Sequence, residues 1–300
     1  MAAPDRADIQ APVDLIDEGE RVLSAAGIEP ARFESKAILA DVLETKPSRV
    51  LLRDGPVSAE AMARFRELVG ERATRTPLQY VLGTDEFMGL TLTCRPGVFI
   101  PRPETELLVD AVLDVLAPRR DALVVADVGC GTGGVAIALA HYMPAATVHA
   151  VDISADAVQL TADNARQVGV ADRVHVRQGD MLEPLVAAGI AEGLDAIVAN
   201  LPYVPSGDIR PLDPEIRDHE PLEAINGGPD GLACFRRFIG QISTLPLRDR
   251  LIALEVGVRQ SGAVEALLRS HLDRSDVHIH RDYAGIERTL LALQRPSAPA

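Results

Sequence analysis

Between roughly residues 122 and 270, short apolar runs rich in β-branched residues alternate with longer segments of helical period. No other feature restricts the possible folds as strongly. Runs near 122–128, 147–152, 174–179, 195–199 and 250–256 read as strands, and 133–143, 155–168, 230–243 and 259–270 as helices. Strands that are apolar on both faces must be covered on both faces, and an intervening helix is the usual crossover between parallel neighbours. The reading is therefore α/β, a parallel sheet between two helical layers. Two further strands, 276–281 and 288–293, read as an antiparallel hairpin closing the sheet edge.

The first part of the chain has a different period. Leu15, Ile16, Val22 and Leu23 recur at one-turn and two-turn spacing, Gly27 is a stop, and Pro30 opens a second helix over 31–43. Ser58 caps a third that carries Met62, Phe65, Leu68 and Val69. This predicts a small helical domain over 1–75. Partial alternation from Glu86 to Thr93 around Gly89 then predicts a β-hairpin linker over 76–100, with a turn at Pro96-Gly97. Pro103 suits the first position of a helix running through Leu108, Val112 and Val115, which opens a domain over 101–300.

A net charge of −14 argues against a nucleic-acid binder, which needs a basic footprint on phosphates, and the absence of Trp leaves few platforms for stacking bases. The N-terminal MAAPDRADIQAP lacks the apolar core of a leader, and no run approaches a membrane span. Cys94, Cys130 and Cys234 have neither disulfide-framework nor zinc spacing, and His278 and His280 read as one face of a strand. The chain is expected to be a cytoplasmic monomer with no resident metal, binding neither membrane nor nucleic acid.

Four constellations carry chemistry. Asp127-Val128-Gly129-Cys130-Gly131-Thr132-Gly133 sits between a strand and an Ala-rich helix, where glycines let a ligand approach bare backbone. Its acidic member suits a cationic ligand better than a diphosphate, and S-adenosylmethionine is such a ligand. Asp152 ends the next strand, where a carboxylate can accept both hydroxyls of a ribose. Asp180, followed by Met181, is placed to accept from an exocyclic adenine amine while the thioether packs on the ring; a simple turn Asp is the alternative. Asn200-Leu201-Pro202-Tyr203 ends the fourth strand. The Asn200 side-chain oxygen and the Leu201 carbonyl can accept two N–H groups of one nitrogen, with Pro202 fixing φ and Tyr203 supplying an aromatic wall.

Taken with Arg75-Thr76-Pro77, Ile100-Pro101-Arg102-Pro103-Glu104-Thr105-Glu106, Asp213-Pro214-Glu215-Ile216-Arg217-Asp218-His219-Glu220-Pro221, Gly227-Gly228-Pro229-Asp230-Gly231 and Leu254-Glu255-Val256-Gly257, these motifs resemble the HemK/PrmC protein-(glutamine-N5) methyltransferases. The resemblance covers nearly the whole chain. It implies a seven-stranded Rossmann-like class I methyltransferase sheet and a helical N-terminal domain that helps dock peptide chain release factors. It also implies methyl transfer from S-adenosylmethionine to the Gln amide of a Gly-Gly-Gln loop. Asp127, Gly129, Cys130, Gly131, Thr132, Gly133, Asp152, Asp180, Met181 and Asn200 are then expected on the cofactor, and Asn200, Leu201, Pro202 and Tyr203 on the substrate amide. Asn200, Pro202 and Tyr203 are the expected catalytic set.

The family usually has Asn-Pro-Pro-Tyr, and Leu201 keeps the backbone acceptor without the ring's rigidity. Asn-Leu-Pro-Tyr is also found in enzymes that methylate adenine amines in rRNA, which leaves an N6-adenine methyltransferase as the alternative activity. An inactive cofactor-binding partner subunit is the alternative outside enzymes.

Overall fold

The structure, a computed structural model, describes residues 10–53, 55–119, 121–246, 248–272 and 275–295. Most of the N-terminal segment considered above lies outside these residues. The chain divides into two compact units.

The first unit holds the described residues through Gly83 together with Pro214–His219. Its helices are α1 (Pro12–Ala25), α2 (Ala31–Val42), α3 (Ala59–Ala73) and α4 (Leu78–Leu82). Leu15, Ile16, Leu23, Ile38, Leu39, Phe65 and Leu68 form its core. Val22 departs from the expected stripe and is exposed. Gly27 takes φ 71° just past α1, as the stop requires, and the Ser58 hydroxyl accepts the Ala61 N–H at 3.2 Å as the α3 cap. Within this unit Arg72 is almost fully buried and donates to Glu34 at 2.6 Å and to Glu215 at 2.9 Å. Arg75 donates to the second Glu215 oxygen at 2.6 Å and to the Gly27 carbonyl at 2.5 Å. The Arg-Thr-Pro and Asp-Pro-Glu-Ile-Arg-Asp segments, 140 residues apart, thus meet in one ion-pair cluster.

The second unit opens with the hairpin β1 (Thr84–Phe87) and β2 (Leu90–Thr93), whose two-residue turn places Met88 at φ 51° and Gly89 at φ 71°. Helix α5 (Pro103–Leu116) follows, with Pro103 in its first turn as expected. Then come β3 (Val124–Val128), α6 (Gly134–Tyr142), β4 (Thr147–Asp152), α7 (Ala155–Val168), β5 (Val174–Gln178), α8 (Glu183–Ala187) and β6 (Ala196–Ala199). After α9, the Pro214–His219 helix of the first unit, the chain adds α10 (Ala233–Ser243), β7 (Arg250–Glu255), α11 (Ser261–His271), β8 (Ser275–Arg281) and β9 (Glu287–Gln294).

The seven-stranded sheet has the order β5-β4-β3-β6-β7-β9-β8. Strands β3 to β7 pair in parallel, while β9 runs antiparallel between β7 and β8. The final hairpin therefore closes one edge, with β8 outermost. Successive residues of β3 serve opposite layers: Val125 packs with α5 and α6, and Ala126 and Val128 pack with α10. The order reverses at β3, whose neighbours are β4 on one side and β6 on the other. Open α/β sheets bind ligands outside the carboxyl ends of their strands at such a switch point. The Gly-rich loop follows β3 and Asn200 follows β6.

Candidate active site

The loop after β3 is braced from behind. Asp127 is 1% exposed, and its carboxylate accepts the Ala136 N–H in the first turn of α6 at 2.9 Å. Burial, opposed by that N–H and reinforced by the charge of Asp152, pushes its pKa up to about 7. Gly129 (φ 77°) and Gly131 (φ 55°) present open backbone, and the residues between and after them turn inward. Cys130 Sγ lies 3.3 Å from Thr161 Oγ1, and burial raises its thiol pKa well above the ordinary value. The Thr132 carbonyl accepts from Asn164 Nδ2 at 2.9 Å. A Cβ on Gly133 would stand 2.8 Å from Thr161 Cγ2.

Of the loop residues expected on a cofactor, Gly129 and Gly131 are therefore the ones the fold leaves accessible. Asp127, Cys130, Thr132 and Gly133 are held inside by partners on α6 and α7. Asn164 was not anticipated. It also exchanges hydrogen bonds with the Thr93 backbone at 2.9 and 3.1 Å, joining the loop to the β2 strand, and its only sequence signal is a polar residue on the apolar face of α7.

Asp152 ends β4 half-buried. One carboxylate oxygen accepts the Gly131 N–H and the other the Ser154 N–H, both at 2.9 Å, while burial raises its pKa against those bonds. Ser154, and not Asp152, caps α7 by accepting the Ala157 N–H at 3.3 Å. Asp180 and Met181 follow β5 on a partly exposed turn. The Asp180 carboxylate is engaged by Arg237 of α10, and Met181 packs on the apolar layer beside Leu182.

Asn200 lies one residue beyond β6, and a Cβ built on Gly129 would stand 3.4 Å from its backbone oxygen. Its side-chain Nδ2 donates to Thr105 Oγ1 at 3.0 Å. Thr105 in turn donates to Glu255 Oε2 at 2.7 Å, and the Tyr203 hydroxyl reaches Glu255 Oε1 at 3.4 Å. Glu255 closes β7 at 1% exposure, and burial, eased by these bonds, pushes its pKa up to about 7. Leu201 is 4% exposed and packs in the α10 layer, so side-chain burial fixes the residue where a proline ring would fix φ.

Backbone packs tightly around Pro202 and Tyr203. A Cβ on Gly227 would stand 2.8 Å from the Pro202 oxygen, one on Gly231 2.3 Å from the Tyr203 oxygen, and one on Gly257 3.0 Å from the Tyr203 ring. Gln260 Nε2 donates to the Tyr203 carbonyl at 2.8 Å. The Gly-Gly-Pro-Asp-Gly and Glu-Val-Gly segments are thus the walls of this turn. Arg102 pairs with the buried Glu220, which also accepts the Ile100 N–H at 3.3 Å.

Residues 14–83 match the pattern described as the PrmC N-terminal domain, and residues 119–244 match that of a methyltransferase domain. A release factor glutamine methyltransferase from Moorella thermoacetica is 40% identical over 281 residues, covering 93% of this chain and 97% of its own length. The chain belongs to the release factor glutamine methyltransferase family. A human release factor glutamine methyltransferase is 34% identical across 96% of this chain and 88% of its own. Among solved structures, the hMettl16 catalytic domain, determined with an RNA hairpin, superposes with a TM-score of 0.55 at 15% identity, covering 77% of this chain and 84% of that one. At that identity the likeness is one of fold, and the fold is the Rossmann-like class I methyltransferase fold expected from the sequence.

Proposed function

We propose that the protein transfers a methyl group from S-adenosylmethionine to the side-chain amide nitrogen of the Gln in the Gly-Gly-Gln loop of peptide chain release factors. The observation that carries this reading is the polarity of the turn after β6. Asn200 spends its Nδ2 on Thr105, and among the described residues no protein donor meets its Oδ1 or the Leu201 carbonyl. Two acceptors on adjacent residues suit one NH2 group.

The residues around the switch point fit the cofactor. Bare backbone at Gly129 and Gly131 leaves room for a large ligand, and the Asp152 carboxylate, aimed by two backbone N–H groups, suits a ribose diol. Asp180 and Met181 are assigned to the adenine end, with Arg237 sharing the Asp180 carboxylate. When bound, S-adenosylmethionine supplies a methyl group on a cationic sulfur whose departure leaves a neutral thioether.

The chain's own contribution is positioning. An amide lone pair is delocalised and weakly nucleophilic, so rate depends on holding the nitrogen in line at roughly 3–3.5 Å from the reacting carbon. Acceptance of both N–H groups by Asn200 Oδ1 and the Leu201 carbonyl orients the lone pair, and the Tyr203 ring excludes water on one side. As the N–C bond forms the S–C bond breaks, and one N–H proton is released to solvent.

The helical unit is assigned to docking the release factor. No helix among the described residues is long and apolar enough to cross a membrane. The free thiols of Cys94, Cys130 and Cys234 support a reducing, cytoplasmic setting, and the charge of −14 supports work on protein and not on RNA.

The deciding experiment is mass spectrometry of the Gly-Gly-Gln peptide after incubation of a release factor with the protein and S-adenosylmethionine. A gain of about 14 Da on Gln is expected for one methyl replacing hydrogen. Transfer of label to RNA alone would overturn the assignment.

A further inference from the structure

We propose that Thr105 and Glu255 are positioning residues that dictate which end of the Asn200 amide faces the substrate. The inference rests on the amide-transfer reading above and concerns how that amide is recognised.

The two ends of an Asn side chain have nearly the same shape, so packing alone does not choose between them. The choice matters here. With Oδ1 outward, Asn200 accepts from the substrate NH2 group; with Nδ2 outward, two NH2 groups face each other and the substrate is repelled. Thr105 alone cannot decide, because a hydroxyl donates or accepts with equal ease.

Glu255 removes that freedom. An ionised carboxylate only accepts, so it takes the Thr105 hydroxyl hydrogen at 2.7 Å and leaves Oγ1 as an acceptor. The one end of Asn200 that Oγ1 can then receive is Nδ2, which it does at 3.0 Å. Polarity passes from carboxylate to hydroxyl to amide.

The fold brings the three together from distant segments. Ala199 and Leu254 are register partners on β6 and β7, so Asn200, just past β6, and Glu255, the last residue of β7, both lie one residue beyond that pair. Thr105 comes down in the first turn of α5, 95 residues before Asn200 and 150 before Glu255. Thr105 is 5% and Glu255 1% exposed, so water does not offer substitute partners. The other groups that act on Glu255 are Tyr203 after β6, Arg288 on β9, which favours the ionised form, and Glu104 on α5, which opposes it.

The test compares wild type with Thr105→Val, Thr105→Ser and Glu255→Gln, using a Gly-Gly-Gln release factor. Turnover across pH 6–9 is measured together with S-adenosylmethionine affinity by calorimetry. Valine matches threonine in shape without the hydroxyl; a kcat loss of about tenfold to a hundredfold is expected, with cofactor affinity within about threefold. Serine restores most of the turnover. Wild-type kcat rises with pH as Glu255 ionises, and that acid limb is absent in Glu255→Gln.

Wild-type turnover in Thr105→Val, equal losses in valine and serine variants, a parallel collapse of cofactor binding, or an acid limb that persists in Glu255→Gln would each overturn the proposal. Wild-type protein that methylates no release factor would instead strike the underlying reading, so the two failures are distinguishable.

Discussion

The Asp152 carboxylate and the Gly131 N–H, 21 residues apart in sequence, are joined by a 2.9 Å hydrogen bond across the ends of adjacent strands. The same side chain accepts the Ser154 N–H, so one carboxylate sets the shape of two loops. Asp152→Ala should weaken S-adenosylmethionine binding by about tenfold to a hundredfold, the cost of hydrogen bonds to a charged group. Calorimetric titration measures this directly, and an unchanged Kd would remove Asp152 from the cofactor site.

Asp127 makes stability depend on pH. Its folded pKa of about 7 lies above the ordinary carboxyl value, so the folded state favours the protonated form. Its contribution is therefore complete below about pH 4 and is lost as pH rises through about 7. Asp127→Asn keeps an acceptor for the Ala136 N–H without the ionisation. The variant should gain stability over wild type on the order of 4 kcal/mol at pH 8, and little at pH 4. Thermal melts at the two pH values are the measurement; parallel behaviour of the two proteins would contradict it.

Gly231 has φ 74°, and any Cβ there would collide with the Tyr203 carbonyl at 2.3 Å. Gly231→Ala must displace the turn that carries Tyr203 or break the Gln260 bond to its carbonyl. Steady-state kinetics should show kcat falling by about tenfold or more, because misplacement of the Asn200–Tyr203 turn acts on the aligned state.

Leu201 is anchored by burial, so truncation tests that anchor. Leu201→Ala keeps the backbone acceptor but should destabilise the fold by about 2–5 kcal/mol, the usual cost of an emptied Leu site. Chemical denaturation reports the loss, and a change below about 1 kcal/mol would mean the side chain does not hold the turn.

Glu215 serves two arginines, one of them deeply buried. Glu215→Ala leaves Arg72 with Glu34 alone and Arg75 without its carboxylate. Loss of one partner from a buried ion cluster costs about 3–5 kcal/mol, and the partial exposure of Arg75 places this case near 3. Urea unfolding followed by helical circular dichroism would register it.

The long elements were legible in the sequence because strands β3, β4, β6 and β7 are mostly apolar, with polar residues few or at their ends, and α7 matches its expected bounds. Helices α4, α8 and α9 were not, since five or six residues complete too little of a helical period to stand out. In the site, the glycine loop and the strand-end residues could be read from spacing. The inward turn of Cys130 and Thr132 could not, because Thr161 and Asn164 on α7 decide it. Glu255 read as part of a strand; its role depends on Thr105, 150 residues away, and no local pattern carries a pairing over that distance.

The acceptor for Arg72 and Arg75 belongs to a six-residue helix that enters the chain some 130 residues after the rest of its unit. The helical unit is consequently not a cassette. A fragment cut at Gly83 carries both guanidinium groups and one of their two carboxylates, and a chimera that exchanges only the amino-terminal part pairs one protein's arginines with another's acid. Transplanting the helical unit between relatives therefore requires moving two pieces of sequence, the second taken from between β6 and α10.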